Sequence, residues 1–252
     1  AEISAEAAAS VSDSSDEETE ESEQIALEEV LPDSLDDGEV AVAPVSTIDI
    51  GVEGDISSKE VDWDALTTDN PDTCAYIVIP GTNVDSPVLK KIDSNDYYLC
   101  HDAAGAEDTK GSICMDMGNE TSFTDPVTCL YANMDEAEPF EELVNYMDVN
   151  FLNEHPYIYV YTPDYVTEYK IFAVYNTDDT ERLLVKYNFY DYVEYQTYIN
   201  DIFAIRDMTA VLDENLKSQA IDTWNIISLS GISDDGTRLL VQAAFSGRSE
   251  TY

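Results

Sequence analysis

The sequence is short of positive charge. Its 252 residues hold 11 Lys and Arg against 54 Asp and Glu, a formal net charge of −43. Phosphate contacts need clustered cations, so nucleic acid is excluded as a partner. Anionic lipid surfaces are disfavoured for the same reason. The charge provides solubility and self-repulsion, and leaves cationic partners or divalent ions open. A long apolar run is also missing: no segment approaches the ~20 residues of a membrane span. The opening AEISAEAAAS is not the basic-then-apolar pattern of a signal peptide. A removed leader or a trimmed anchor would leave such a start, so the sequence does not mark a cytosolic protein. A membrane enters only through an anchor absent from this chain.

Cysteine pairs at metal-binding spacing are lacking too. Cys74, Cys100, Cys114 and Cys129 contain no CxxC, so a zinc site is not expected. In an exported domain they allow up to two disulfides in three connectivities. Each also lies in or beside an apolar run, which suits buried free thiols. The acidic stretches DSNDYY and DMGNETSFTD lack the EF-hand loop spacing and read as solvated loops. No metal and no cofactor are expected.

What is present divides the chain in two. Of the 54 acidic residues, 18 precede Lys59, leaving 36 against all 11 basic residues in the remainder. The early stretch SDSSDEETEESE, in a region without aromatics, cannot bury enough apolar surface to offset its ordering entropy. Residues 1–45 are therefore expected to be a disordered acidic stalk, and 46–252 one folded domain. That domain carries all 17 Tyr, 7 Phe and 2 Trp, enough for a sizeable core.

Within it, VDWDALTTDNPD reads as a short amphipathic helix stopped by Pro71. CAYIVIPGTNVDSPVL reads as strand, turn and strand. SNDYYLCHD is a compact aromatic turn, and GSICMD and PVTCLYANM are strands. PFEELVNYMDVNFLNEHP places Phe140, Leu143, Met147 and Phe151 at helical spacing. YIYVYTPD and EYKIFAVYNT pair across the turn at Pro163-Asp164, VEYQTYINDIFAIRDM is a second amphipathic helix, and WNIISLS and TRLLVQAAF are the last strands. The sum is mainly β: about eight strands with two or three helices in the connections, a barrel rather than a doubly wound sheet.

These segments, in this order, resemble the class B sortases over about residues 62–245. The PGTN turn and the HPYIYVYTPD strand carry the resemblance most specifically. It implies an eight-stranded sortase-type barrel, an extracellular location on a Gram-positive cell surface, and cysteine transpeptidase chemistry. In that family a cysteine attacks a threonine carbonyl, a histidine assists proton transfer, and an arginine stabilises the oxyanion. A thiol needs a neighbouring base or cation to attack at neutral pH, and the oxyanion needs a fixed donor.

Carried over, the family's Tyr-Gly-His-Asn-Met segment falls on Leu130–Met134, which puts Ala132 at the histidine. Its Thr-Leu-Ser-Thr-Cys strand end falls on Ser228–Ile232, which puts Ile232 at the cysteine. Only the arginine remains, as Arg238, and no cysteine follows Cys129. The expected function is thus a sortase-like surface protein without intact catalytic residues. It would bind a peptide, pilin-like or cell-wall ligand through Arg238, Asn133, Ser228 and Ser230. Arg238 could equally pair with Asp234 or Asp235.

The alternative is an active transpeptidase or peptidase with a replaced nucleophile. Ser228, Ser230 and Ser233 lie near the rim, where Asp234 and Asp235 could serve as bases. Cys100 adjoins His101, but neighbours on an extended chain point apart. His101 and His155 read as scaffold histidines. NPDTC at Asn70–Cys74 resembles a sorting motif, yet it occupies a helix end leading into a strand.

Overall fold

The computed structural model describes residues 59–177 and 189–250. The stalk expected over residues 1–45 lies outside the described residues. Nine strands form one sheet: β1 (Thr73–Val78), β2 (Asp85–Leu89), β3 (Cys114–Met115), β4 (Val127–Asn133), β5 (Tyr157–Tyr161), β6 (Tyr165–Thr177), β7 (Val211–Leu212), β8 (Ile226–Ile232) and β9 (Arg238–Glu250). They run in the order β5-β1-β2-β3-β4-β8-β9-β6, and β5 pairs back onto β6. Eight strands thus close into a barrel, and β7 extends the sheet along the remaining length of β6. Closure satisfies the edges that an open sheet would expose.

Two pairings are parallel, β2–β3 and β4–β8. A parallel pair needs a long crossover, and the chain between Asn133 and Ile226 supplies it for β4–β8. That crossover contains β5, β6, β7 and the helices α2 (Val149–Glu154), α3 (Tyr192–Phe203) and α4 (Lys217–Asp222). The remaining helix, α1 (Trp63–Asp69), precedes β1.

Among the described residues three α-helices, α2, α3 and α4, lie in the connections, as expected, and local chemistry sets their ends. The run from Glu141 does not form one helix. It is 3-10 over Glu141–Met147 and restarts as α2 behind Asp148, whose side chain caps Asn150 N–H at 2.8 Å. Aspartate competes for backbone donors and so favours a cap over a helix interior. α3 opens on a reciprocal cap: Asp191 accepts from Glu194 N–H at 2.9 Å while Glu194 accepts from Tyr190 N–H at 2.7 Å.

Alternation along the strands sorts the core into two sides. Leu130, Ala132, Ile227, Leu229, Leu239 and Val241 point into the barrel with Ile77, Ile158 and Ile171. Cys129, Tyr131, Ile226 and Leu240 point outward into a second cluster that they share with Tyr195, Tyr198, Ile199 and Ile202 of α3 and with Tyr98, Leu216 and Ala220. The two family-specific segments meet in space. Gly81 in the PGTN turn has φ +81°, and a Cβ there would lie 2.5 Å from the His155 ring. Only glycine permits both the backbone conformation and that approach.

Candidate functional site

The ends of three adjacent strands define the site. β4 and β8 run parallel and β9 returns antiparallel from β8, so Asn133, Ile232 and Arg238 fall in one cross-strand row. Cross-strand partners share a face, and Ile232 packs on the outer aromatic cluster. The row is therefore on the outer face. Ala132 is paired with Gly231 and belongs to the interior cluster. The structure brings Ile232 and Arg238 together and turns Ala132 away from them, so Asn133 is the β4 residue that shares their face.

Each residue expected to contact a ligand has a defined place. Arg238 is half-buried at the start of β9, and its charge reaches the Tyr131 hydroxyl. Tyr131 is held far above the usual phenol range by burial first, then by Cys129 and Asp116, with Arg238 opposing them. Its hydroxyl donates to Asp116 at 2.9 Å. Asn133 spends its amide on the scaffold, donating to the carbonyls of Leu99 at 2.8 Å, Lys110 at 3.2 Å and Thr109 at 3.3 Å.

Ser228 and Ser230 require correction. Both are only 1% exposed, so neither hydroxyl meets a surface ligand. Both face outward, onto the outer core cluster, and Ser228 is tied to α3 through Gln242 and Tyr198. Ser228 accepts from Gln242 Nε2 at 3.3 Å, which also donates to Tyr198 at 2.8 Å. Gln242 Oε1 accepts from Tyr175 at 3.2 Å. Ser230 Oγ is buried without a hydrogen-bond partner among the described residues.

The rim carries one contact that sequence reasoning did not find. Ser233 donates to Asp135 at 2.6 Å, and the second Asp135 oxygen accepts from Asp234 N–H at 2.7 Å. The partner comes from 98 residues away, so no local motif could show it. Nearby Glu138 is raised from its usual range by burial, with Asp135, Asp234 and Glu141 adding repulsion.

Cys100 and His101 do not point apart, because Cys100 ends a 3-10 turn rather than lying in an extended strand. Sγ lies 3.4 Å from His101 Nδ1. That nitrogen is also 2.7 Å from the Tyr97 carbonyl. A carbonyl only accepts, so Nδ1 carries the proton and is no base for the thiol. The imidazole stacks on Tyr97 at 3.8 Å, and the His155 ring packs on Gly81; the scaffold uses both rings. All four cysteines are free, with Cys114 and Cys129 buried and Cys100 exposed. Asn70 of the NPDTC stretch caps α1, and its amide donates to Tyr98 at 2.8 Å and the Ala103 carbonyl at 2.9 Å.

A closed eight-stranded barrel, with β4 and β8 parallel and β9 returning beside them, defines a sortase-type protein. The chain is similar to several known sortases. Sortase B of Listeria monocytogenes is 30% identical over 197 residues, covering 78% of this chain and 75% of that protein. The solved sortase B of Bacillus anthracis in complex with AAEK2 superimposes with a TM-score of 0.62 at 26% identity, over 74% of this chain and 83% of that one. Clostridium perfringens sortase B gives 0.63 at 24% identity, over 73% and 98%. No family model matches the sequence. The chain belongs to the class B sortase family, whose members here come from Gram-positive bacteria. Among the described residues no helix is long and apolar enough to cross a membrane.

Proposed function

We propose that this protein is a non-catalytic class B sortase homologue. It would act outside a Gram-positive cell, holding an extended peptide of a cell-surface or pilin-like protein in the former substrate groove. The groove would be bounded by the strand ends at Asn133, Ile232 and Arg238. The observation that carries this reading is Ile232, a hydrocarbon in register with Arg238. Acyl transfer through a thioester needs a thiolate at that place, and no cysteine follows Cys129. Arg238 keeps a planar set of donors suited to a peptide carbonyl or carboxylate.

The test is incubation with Asn-Pro-x-Thr-Asn peptides and oligoglycine, read by mass spectrometry, with binding followed by fluorescence anisotropy. The expected result is saturable binding, weakened at least about tenfold by Arg238→Ala, in line with loss of a charged hydrogen bond. No product and no covalent adduct should form. Turnover that Arg238→Ala abolishes would overturn the reading.

One observation favours a working enzyme instead, the Ser233–Asp135 contact at 2.6 Å. A carboxylate on a serine can serve as general base. Asp135, Asp234 and Glu138 nevertheless place negative charge where an oxyanion would form, which opposes the stabilisation catalysis requires. A Ser233-linked acyl adduct that is lost in Ser233→Ala would establish this second reading.

A further inference from the structure

The other end of the barrel holds a cleft of about 730 Å³, framed by the start of β1, the end of β2, the β5–β6 hairpin and the end of β9. Arg248 in its wall and Arg238 in the groove are ten residues apart on one strand, roughly 30 Å at strand rise. The cleft is thus separate from the site proposed above. Its volume suits a small molecule.

Charge makes this cleft unusual. The chain has 11 basic residues against 54 acidic ones, yet Lys90 and Arg248 both line this space. Neither is paired with a carboxylate among the described residues. Lys90 Nζ donates to the Asn119 carbonyl. Arg248 Nε donates to Thr167 Oγ1 at 2.8 Å, and Nη2 to the carbonyls of Phe123 at 3.3 Å and Ser122 at 3.5 Å. Carbonyls orient a cation without cancelling its formal charge.

Two acids also line the cleft, Asp72 and Asp164. Asp72 is already answered by Lys91 at 2.9 Å and by the Tyr98 hydroxyl at 2.7 Å. Asp164 is exposed at the hairpin tip. The local balance therefore favours an anion despite the charge of the whole.

The wall is built in advance. Asn119 is buried and ties its loop to Asp125 at 2.9 Å and to the Val127 carbonyl at 2.8 Å. Phe123 holds φ 54° while its carbonyl accepts from Asn225 at 2.8 Å as well as from Arg248. Such strained conformations gather at ligand clamps.

Thr121, Ser122, Thr124 and Thr162 add hydroxyls to a lining that also holds the apolar Pro71, Ile92 and Pro163; Ser122 and Thr124 bond to each other at 2.8 Å. Beside them stands Tyr165, 39% exposed, with the Arg248 guanidinium 5.4 Å from its ring centroid. Hydroxyls and an exposed aromatic face suit a sugar ring, and two oriented cations suit an acidic group on it. We infer that this cleft binds an anionic saccharide, a sugar carrying a phosphate or a carboxylate.

NMR titration of the full chain with glucose 6-phosphate, glucuronate, glucose and inorganic phosphate tests it. The expected result is saturable shifts around Arg248 with at least one of the two acidic sugars. Glucose and inorganic phosphate should each bind at least tenfold more weakly. Arg248→Gln and Lys90→Gln, each checked for an unchanged fold by its spectrum, should each weaken binding at least tenfold. Lys217→Gln, outside the cleft, should not. Which acidic sugar binds tighter assigns phosphate or carboxylate. Absence of saturation with both acidic sugars, equal binding of glucose or of inorganic phosphate, or affinity unchanged in Lys90→Gln would each overturn the assignment.

Discussion

Gln242 is the residue on which the outer face of the barrel depends. It is fully buried, and its amide serves three hydroxyls, those of Tyr198, Ser228 and Tyr175. Gln242→Leu keeps the volume and strands all three, so it should cost about 2–4 kcal/mol, measured as a lowered urea midpoint. Ser230 is the opposite case. Its hydroxyl has no partner among the described residues, so Ser230→Ala should be neutral or stabilising by up to about 1 kcal/mol. A clear loss of stability would show that the hydroxyl has a partner after all. Cysteine reactivity divides in the same way. Burial pushes the thiols of Cys74 and Cys114 up to about 12, Cys129 is buried, and Cys100 is exposed. Alkylation of the native protein at pH 8, followed by peptide mapping, should label Cys100 and spare the other three until the fold is opened.

Among elements, the turn between β1 and β2 is the most exacting. Gly81→Ala would force a Cβ into the His155 ring at a left-handed backbone position. It should cost at least about 2 kcal/mol, read from thermal unfolding, and Gly236→Ala is the informative comparison. That glycine has φ +87° but open space around it, so its cost isolates the backbone strain. The PGTN turn was legible because proline, glycine and alternating apolar neighbours act locally. Strands with clear alternation were legible for the same reason. β7 was not, being two residues long, and α4 was not, since six residues give too little periodicity. The site was legible in part. The strand ends at Ile232 and Arg238 could be placed from the wording of the chain. The burial of Ser228 and Ser230 could not, because the outer face of β8 is packed against elements from distant stretches of sequence, among them α3 through Tyr198. Likewise the face taken by Ala132 follows from sheet register, and the Ser233–Asp135 contact joins segments 98 residues apart.

For the whole molecule, charge decides how stability answers to solvent. With a formal charge of −43, folding brings like charges closer than the unfolded chain holds them. The ion pairs Lys59–Asp85 and Lys91–Asp72 are partly exposed, and pairs of that kind contribute about 0–1 kcal/mol each. Salt weakens these attractions and the far more numerous repulsions alike, so the repulsions should dominate the response. Raising sodium chloride from about 20 mM to about 500 mM shortens the screening length severalfold. If it relieves about 1 kcal/mol of repulsion, the thermal midpoint should rise roughly 2–4 °C. A midpoint that falls across the same series would mean that attraction, not repulsion, governs the folded domain. The few cations would then be placed to hold the barrel together rather than left available to a ligand. Differential scanning fluorimetry at constant pH distinguishes the two signs directly. Repeating it with Lys90→Gln tests the cleft from the side of stability. A cation held only by a carbonyl among surplus acids should still lower the net repulsion, so its loss should make the salt-dependent rise steeper.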